Sequence, residues 1–198
     1  YEAVKNEDVI FIEDDPYGEL RFTGEHLPYI AAGKMTNSVV LGSFSKTVTP
    51  GMRLGYILTK NHELLNHIET AKQASDLHTN ILAQYILHDY LTTNKYEEHV
   101  EKIIALYKAQ ADTMLAAMEK YFPPHISYTK PEGGMFIWVT MEEGADALEK
   151  FQEAMDQKVA FVPGNPFYTS KTKVNTMRLN YTNATPEVIE EGIKRLGK

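Results

Sequence analysis

The side chains best placed to do chemistry fall into three short clusters of this 198-residue chain. One is Gly42-Ser43-Phe44-Ser45-Lys46-Thr47, followed by Pro50-Gly51-Met52-Arg53-Leu54-Gly55. A lysine flanked by hydroxyls at the end of an apolar run can act as a Schiff-base nucleophile. Arg53, seven residues further on, carries a planar fork that can pair bidentately with a phosphate. Another cluster is Glu13-Asp14-Asp15-Pro16-Tyr17, at the carboxyl end of the apolar run Val9-Ile10-Phe11-Ile12. Ligands of open α/β sheets bind at that end of the strands. The last is Met177-Arg178-Leu179-Asn180-Tyr181. Taken singly, each has a plainer reading: a solvated Ser/Lys loop, a strand end with acidic caps, and a surface arginine on an edge strand.

The elements around the clusters form a consistent frame. Val9-Ile10-Phe11-Ile12 is continuously apolar and reads as a parallel strand buried on both faces. Val39-Val40-Leu41-Gly42-Ser43-Phe44 and Leu54-Gly55-Tyr56-Ile57-Leu58 are two further strand candidates. From Asn61 to about Tyr121 the apolar spacing becomes helical. Leu64, Leu65, Ile68 and Ala71 mark one helix. Ile81, Leu82, Tyr85, Ile86 and Tyr90 mark a second, with Thr79 or Asn80 as its N-cap. A long third helix runs through Val100, Ile103, Ile104, Tyr107, Ala111, Met114, Leu115 and Met118 until Pro123-Pro124 stops it. The remainder reads as α+β, with strands at Ile126-Ser127-Tyr128, Met135-Phe136-Ile137-Trp138-Val139, Val159-Ala160-Phe161-Val162 and Met177-Arg178-Leu179-Asn180-Tyr181. Helices are expected from Ala145 to Gln157 and after Thr185, with Thr185 as N-cap and Pro186 at the first helical position.

Composition narrows the function. Apolar residues make up 43% and charged residues 24% of the chain, ordinary for a globular protein. A net charge of −7 provides no basic footprint for nucleic acid, and no basic run points to a membrane surface. No stretch approaches the roughly 18 apolar residues of a membrane span. The absence of cysteine excludes disulfides and thiolate metal sites and fits a cytoplasmic setting. The histidines have no metal-ligand spacing; His62, His67 and His88 read as helix-surface residues, and no metal is expected. The opening residues Tyr1 to Asp8 read as the last turns of a helix already under way, so the chain is expected to be the C-terminal part of a longer protein.

Together, Asp14-x-x-Tyr17, then Ser43-x-Ser45-Lys46 and Arg53, resemble the fold-type I aminotransferases of class I/II, which use pyridoxal 5'-phosphate (PLP). The wording Glu-Asp-Asp-Pro-Tyr-Gly-Glu-Leu-Arg-Phe is similar to the 2-aminoadipate, aromatic and kynurenine branch, and the resemblance runs from Val9 to Leu196. It implies an α/β fold: a partial PLP-transferase large domain, mostly parallel sheet with helices, over residues 1–95. A small α+β C-terminal domain including the long connecting helix would follow over 96–198. It implies amino-group transfer between an amino acid and a 2-oxo acid in a homodimer. Lys46 would bind PLP covalently and then act as general base. Asp14 would pair with the pyridine nitrogen, Tyr17 with the ring oxygen, and Ser43, Ser45 and Arg53 with the phosphate. Asp15 competes with Asp14, but the spacing to Tyr17 favours Asp14. Arg178 would grip the substrate α-carboxylate, whose plane a guanidinium fork matches.

The same resemblance implies that the family's N-terminal half completes the site, so this chain alone is expected to be inactive. Gly133-Gly134-Met135-Phe136 resembles a family turn near the substrate pocket, although its glycines also suit backbone geometry alone. Asp76-Leu77-His78-Thr79-Asn80 resembles a segment that approaches the active site, and a helix cap explains it equally well. Trp138 reads as core. Two alternatives share the motifs: the aminotransferase-like sensor domain of a PLP-binding transcription regulator, and a β-lyase of the same fold.

Overall fold

Apolar periodicity divides this chain into a part built on short strands and helices and a part built on an amphipathic helix against an alternating sheet. The computed structural model describes residues 1–93, 95–170 and 173–198. They form two units, one comprising residues 1–21 and 25–102, the other residues 22–24 and 103–198.

In the first unit, β1 (Phe11–Asp14), β2 (Ser38–Ser43) and β3 (Gly55–Thr59) form a sheet in that order. β1 runs parallel to β2, with Asp14 opposite Leu41. β3 is antiparallel to β2, with Ser43 opposite Gly55. This part of the sheet is therefore mixed, because a short connection returns the chain directly beside β2. Val39 and Val40 are buried, as are Leu20, Ala31 and Leu54. The expectation that Val9-Ile10-Phe11-Ile12 is buried on both faces does not hold here: Ile10 is 55% and Ile12 60% exposed. The strand also starts later, at Phe11. The opening residues are not a helix but successive turns: Val4 and Lys5 donate to the Tyr1 carbonyl, and Glu7 donates to that of Val4.

Helix α1 (His62–Ser75) is capped by Asn61, whose side chain accepts from the Leu64 amide at 2.9 Å. Asn61 also donates to Asn37 at 2.7 Å, joining the end of β3 to the entry of β2. For α2 (Ile81–Thr93), Asn80 rather than Thr79 is the cap, accepting from the Ala83 amide at 3.1 Å. His62, His67 and His88 are exposed. The long helix α3 (Tyr96–Tyr121) begins in this unit.

In the second unit, β4 (Ser127–Tyr128), β5 (Phe136–Thr140), β6 (Val162–Pro163) and β7 (Thr176–Asn180) form an antiparallel sheet ordered β4-β5-β7-β6. Ile137 and Val139 of β5 and Met177 and Leu179 of β7 are buried. They join Ala111, Met114, Ala117 and Met118 of α3 in one core, which is the period-two alternation of a sheet meeting the helical spacing of its partner. Helices α4 (Ala147–Asp156) and α5 (Pro186–Leu196) contribute Ala147, Ala154, Ile189 and Ile193. Asp146 caps α4 through the Leu148 amide, and Thr185 with Pro186 opens α5.

Of the expected strand Val159-Ala160-Phe161-Val162, only Val162 is retained, paired in β6 with Pro163. Val159 still donates to the Ala154 carbonyl at the end of α4, and Phe161 turns into the core. Trp138 is not core. It shares the second face of β5 with Phe136 and is half-buried. Among the described residues, no helix is long and apolar enough to cross a membrane, and no cluster of His, Cys, Asp and Glu could hold a metal.

Candidate active site

The parallel pairing of β1 and β2 brings their carboxyl ends to one edge of the first unit. Asp14 ends β1 there, and Ser43 ends β2. Asp14 is exposed. Glu13, one residue before it, is committed elsewhere: its carboxylate accepts from the Ile30, Ala31 and Ala32 amides. Burial pushes the Glu13 carboxyl up, but these donors and Lys34 outweigh it and hold the group below its ordinary value. Asp15 belongs to the following turn. A Cβ on Gly18 would overlap its carboxylate, so Gly18 makes room for it.

Beyond β2 the chain turns sharply. Val48 and Thr49 donate to the Phe44 carbonyl, which folds Ser45 and Lys46 back over the strand end. The Ser45 amide donates to the Ser43 hydroxyl at 3.2 Å. Arg53 has a left-handed backbone, φ 55°, unusual for a side chain of its size. That conformation turns the guanidinium back to donate to Ser45 Oγ at 3.4 Å and to the Pro50 carbonyl at 3.2 Å. The Lys46 ammonium lies 5.9 Å from the centre of the Tyr17 ring, within cation–π range. Ser43, Ser45 and Arg53 thus form one hydrogen-bonded group, with Lys46 and Tyr17 facing each other beside it.

Several supporting residues carried no signal in the motifs. Tyr96 of α3 donates to Glu19 at 2.6 Å and meets the buried Thr47. One hydroxyl therefore links the turn after Tyr17 to the residue after Lys46. Burial and the Glu19 contact raise the Tyr96 pKa. Gly42 lies beneath the Tyr56 ring, which a Cβ would penetrate. The flanking Phe44 ring sits 5.4 Å from Tyr56. Only the distant spacing of Tyr56 and Tyr96 from the lysine motif hid them, since no local pattern links residues across strands and helices.

Arg178 belongs to the second unit, in β7 opposite Trp138 and Val162. Its guanidinium carbon lies 4.0 Å from the Phe136 ring centre and 4.9 Å from that of Phe167. Its Nε is buried without a hydrogen-bond partner among the described residues. Phe136 and Arg178 border a groove of about 620 Å³. A second groove, of about 690 Å³, is lined by Phe122, Met141, Phe161 and Leu196 and contains none of the expected site residues. Gly134 has φ 79°, so the turn before Phe136 needs that glycine for its backbone.

The profile of aminotransferase class I and II matches residues 1–196, and the chain belongs to this PLP-dependent family. It is 43% identical over its whole length to aromatic-amino-acid aminotransferase 1 of Thermococcus litoralis, of which it covers 47%. It is 37% identical to a 2-aminoadipate transaminase of Thermus thermophilus, covering 50% of it. Of solved structures, the Pyrococcus horikoshii kynurenine aminotransferase in complex with PMP, KYN and KYA superposes with a TM-score of 0.93. Identity there is 41%, over 99% of this chain and 48% of that one. A weaker similarity, 31%, extends to the HTH-type transcriptional regulator YisV of Bacillus subtilis over 96% of this chain and 39% of the regulator. The chain spans about half the length of the curated relatives it matches.

The donor set fits a phosphorylated pyridine aldehyde. Two hydroxyls and a guanidinium suit a phosphate, a primary amine suits an aldehyde, and a phenol beside that amine suits a ring oxygen. The carboxylate of Asp14, on the adjacent strand end, suits a protonated ring nitrogen.

Proposed function

We propose that the whole protein is a PLP-dependent aminotransferase, moving an amino group between an amino acid and a 2-oxo acid. The observation that carries the reading is the group at the end of β2, where Ser43, Ser45 and Arg53 are hydrogen-bonded together and Lys46 faces Tyr17. When bound, PLP supplies an electron-accepting ring that stabilises negative charge at the substrate Cα. Lys46 holds the cofactor and moves the proton at that carbon. Asp14 keeps the ring nitrogen protonated, and Tyr17 donates to the ring oxygen. Ser43, Ser45 and Arg53 anchor the phosphate, and Arg178 receives the substrate carboxylate.

Residues 1–95 then form the C-terminal portion of the PLP-binding large domain, and residues 96–198 the small domain. We place the protein in the cytoplasm as a homodimer. Ile81, Leu82, Tyr85 and Ile86 of α2 are exposed together, an apolar face that suits burial against the rest of the protein or a second subunit.

The test is borohydride reduction of the full-length protein with PLP, followed by peptide mapping. The cofactor should be fixed to Lys46 and lost in Lys46→Ala. Fixation to another lysine overturns the assignment. The 31% similarity to a regulator makes a sensor domain the second reading. Turnover of amino donors with 2-oxoglutarate by the full-length protein decides for the enzyme, and cofactor fixation without turnover decides for the sensor.

A further inference from the structure

An arginine that must grip a carboxylate faces a problem inside a protein. A nearby acid would steady its charge but would also occupy the donors that the ligand needs. Arg178 has no carboxylate partner among the described residues, and its Nε is buried without an acceptor. It is flanked instead by two aromatic rings, Phe136 at 4.0 Å and Phe167 at 4.9 Å from the guanidinium carbon.

Each ring has its own support. Phe136 starts β5, opposite Asn180, beside the strand that carries Arg178. Phe167 ends the short turn Asn165–Phe167 and donates its amide to the Gly164 carbonyl. Its ring packs edge-on against Trp138, 5.2 Å between centres at 88°. Gly164 sits so close to Thr176 that a Cβ would overlap the threonine side chain. Thr176 in turn meets the Tyr168 hydroxyl at 3.2 Å. The turn carrying Phe167 is therefore anchored to β7 on both sides of its ring.

We infer that Phe136 and Phe167 form an aromatic clamp that positions Arg178 for a carboxylate ligand without neutralising it, Phe167 being the positioning residue that the motifs do not reveal. A π face attracts the cation yet accepts none of its in-plane N–H bonds. The guanidinium stays charged and oriented, with its edge available for a planar two-oxygen partner. The clamp acts on any substrate with that group, so it serves the amino acid and the 2-oxo acid alike. This inference rests on the role given to Arg178 under the proposed function.

The test uses the full-length protein loaded with PLP. Phe167 is 48% exposed, so Phe167→Leu keeps an apolar side chain there at little risk to folding. Phe167→Tyr restores a ring. Phe167→Leu should raise KM for both amino and 2-oxo acid roughly 2- to 30-fold, the range spanned by a single cation–π contact. Both kcat and the cofactor content should change little, and Phe167→Tyr should return KM to within about twofold of the parent.

Modification of Arg178 by phenylglyoxal, followed by peptide mass mapping, gives a readout independent of turnover. A substrate-like carboxylate, 3-phenylpropionate, should protect Arg178 in the parent, and Phe167→Leu should need more of it for equal protection. No protection of the parent refutes the role given to Arg178 itself. Protection of the parent with an unchanged requirement in Phe167→Leu refutes the clamp alone. Equal losses in the leucine and tyrosine variants also refute it, because shape rather than the ring would then be responsible.

Discussion

Removing the Glu13 carboxylate should loosen the loop that closes over β1, and the structure sets the size of the loss. Glu13 Oε2 accepts from Ala31 at 2.9 Å and from Ala32 at 3.0 Å, and Oε1 accepts from Ile30. Hydrogen bonds to a charged group contribute about 1.5–3 kcal/mol each. The Ile30 bond is exposed, and water replaces it at little cost. The two part-buried bonds set a ceiling of about 3–6 kcal/mol, which water access at the loop reduces to about 2–4 kcal/mol for Glu13→Ala. Glu13→Gln keeps an acceptor oxygen and should cost only about 1–2 kcal/mol.

The pH dependence follows from the same contacts. The folded-state pKa of Glu13 lies below its ordinary value, so the folded state favours the ionised form. The stabilisation is complete above the unfolded-state pKa and is lost as pH falls through the folded one. Urea denaturation of the full-length protein at about pH 7 and about pH 4 should show a gap between parent and Glu13→Gln that narrows in acid. A Glu13→Ala variant within about 0.5 kcal/mol of the parent, the scatter of ordinary surface changes, would refute the reasoning. So would a parent-to-glutamine gap that does not change with pH.

Other outcomes follow from the site. Asp14→Asn should lower kcat about 10²-fold or more, equivalent to at least about 2.7 kcal/mol of barrier, whereas Asp15→Asn, in the turn against Gly18, should act mainly on stability; steady-state kinetics beside thermal denaturation separate the two. Arg178→Ala should raise KM for both substrates by roughly 10- to 150-fold, the loss of about 1.5–3 kcal/mol from a charge-assisted fork, while the protein retains its PLP. The 198 residues by themselves should show no transaminase turnover and should self-associate through the exposed apolar residues Ile10 and Ile12 beside the β1 edge, measured by a coupled assay and by size exclusion.

What could be read in the sequence follows the range of each interaction. The lysine cluster was legible because its residues lie in one strand and the turn after it, so that spacing along the chain becomes spacing in space. The Thr185 cap was legible for the same local reason, whereas the α2 cap was narrowed only to Thr79 or Asn80, and the Ala83 amide selects Asn80. The direction of β3 was not, since Leu54-Gly55-Tyr56-Ile57-Leu58 reads alike in parallel and antiparallel pairing. The burial expected of β1 fails because an apolar run shows only what a strand is able to bury, and Ile12 at 60% exposure has no cover from its neighbours in this unit. Trp138 reads as core in the sequence, whereas pairing opposite Arg178 assigns it to the other face of the sheet. Phe167 lay furthest from view. A phenylalanine after Pro166 has no local signature of function, and its meaning depends on a strand pairing eleven residues downstream at Arg178. The hydrogen-bonded group of Ser43, Ser45 and Arg53 was therefore legible from residue type and spacing. An aromatic face beside a guanidinium is chemically generic, and only the folded arrangement brings Phe136 and Phe167 to Arg178.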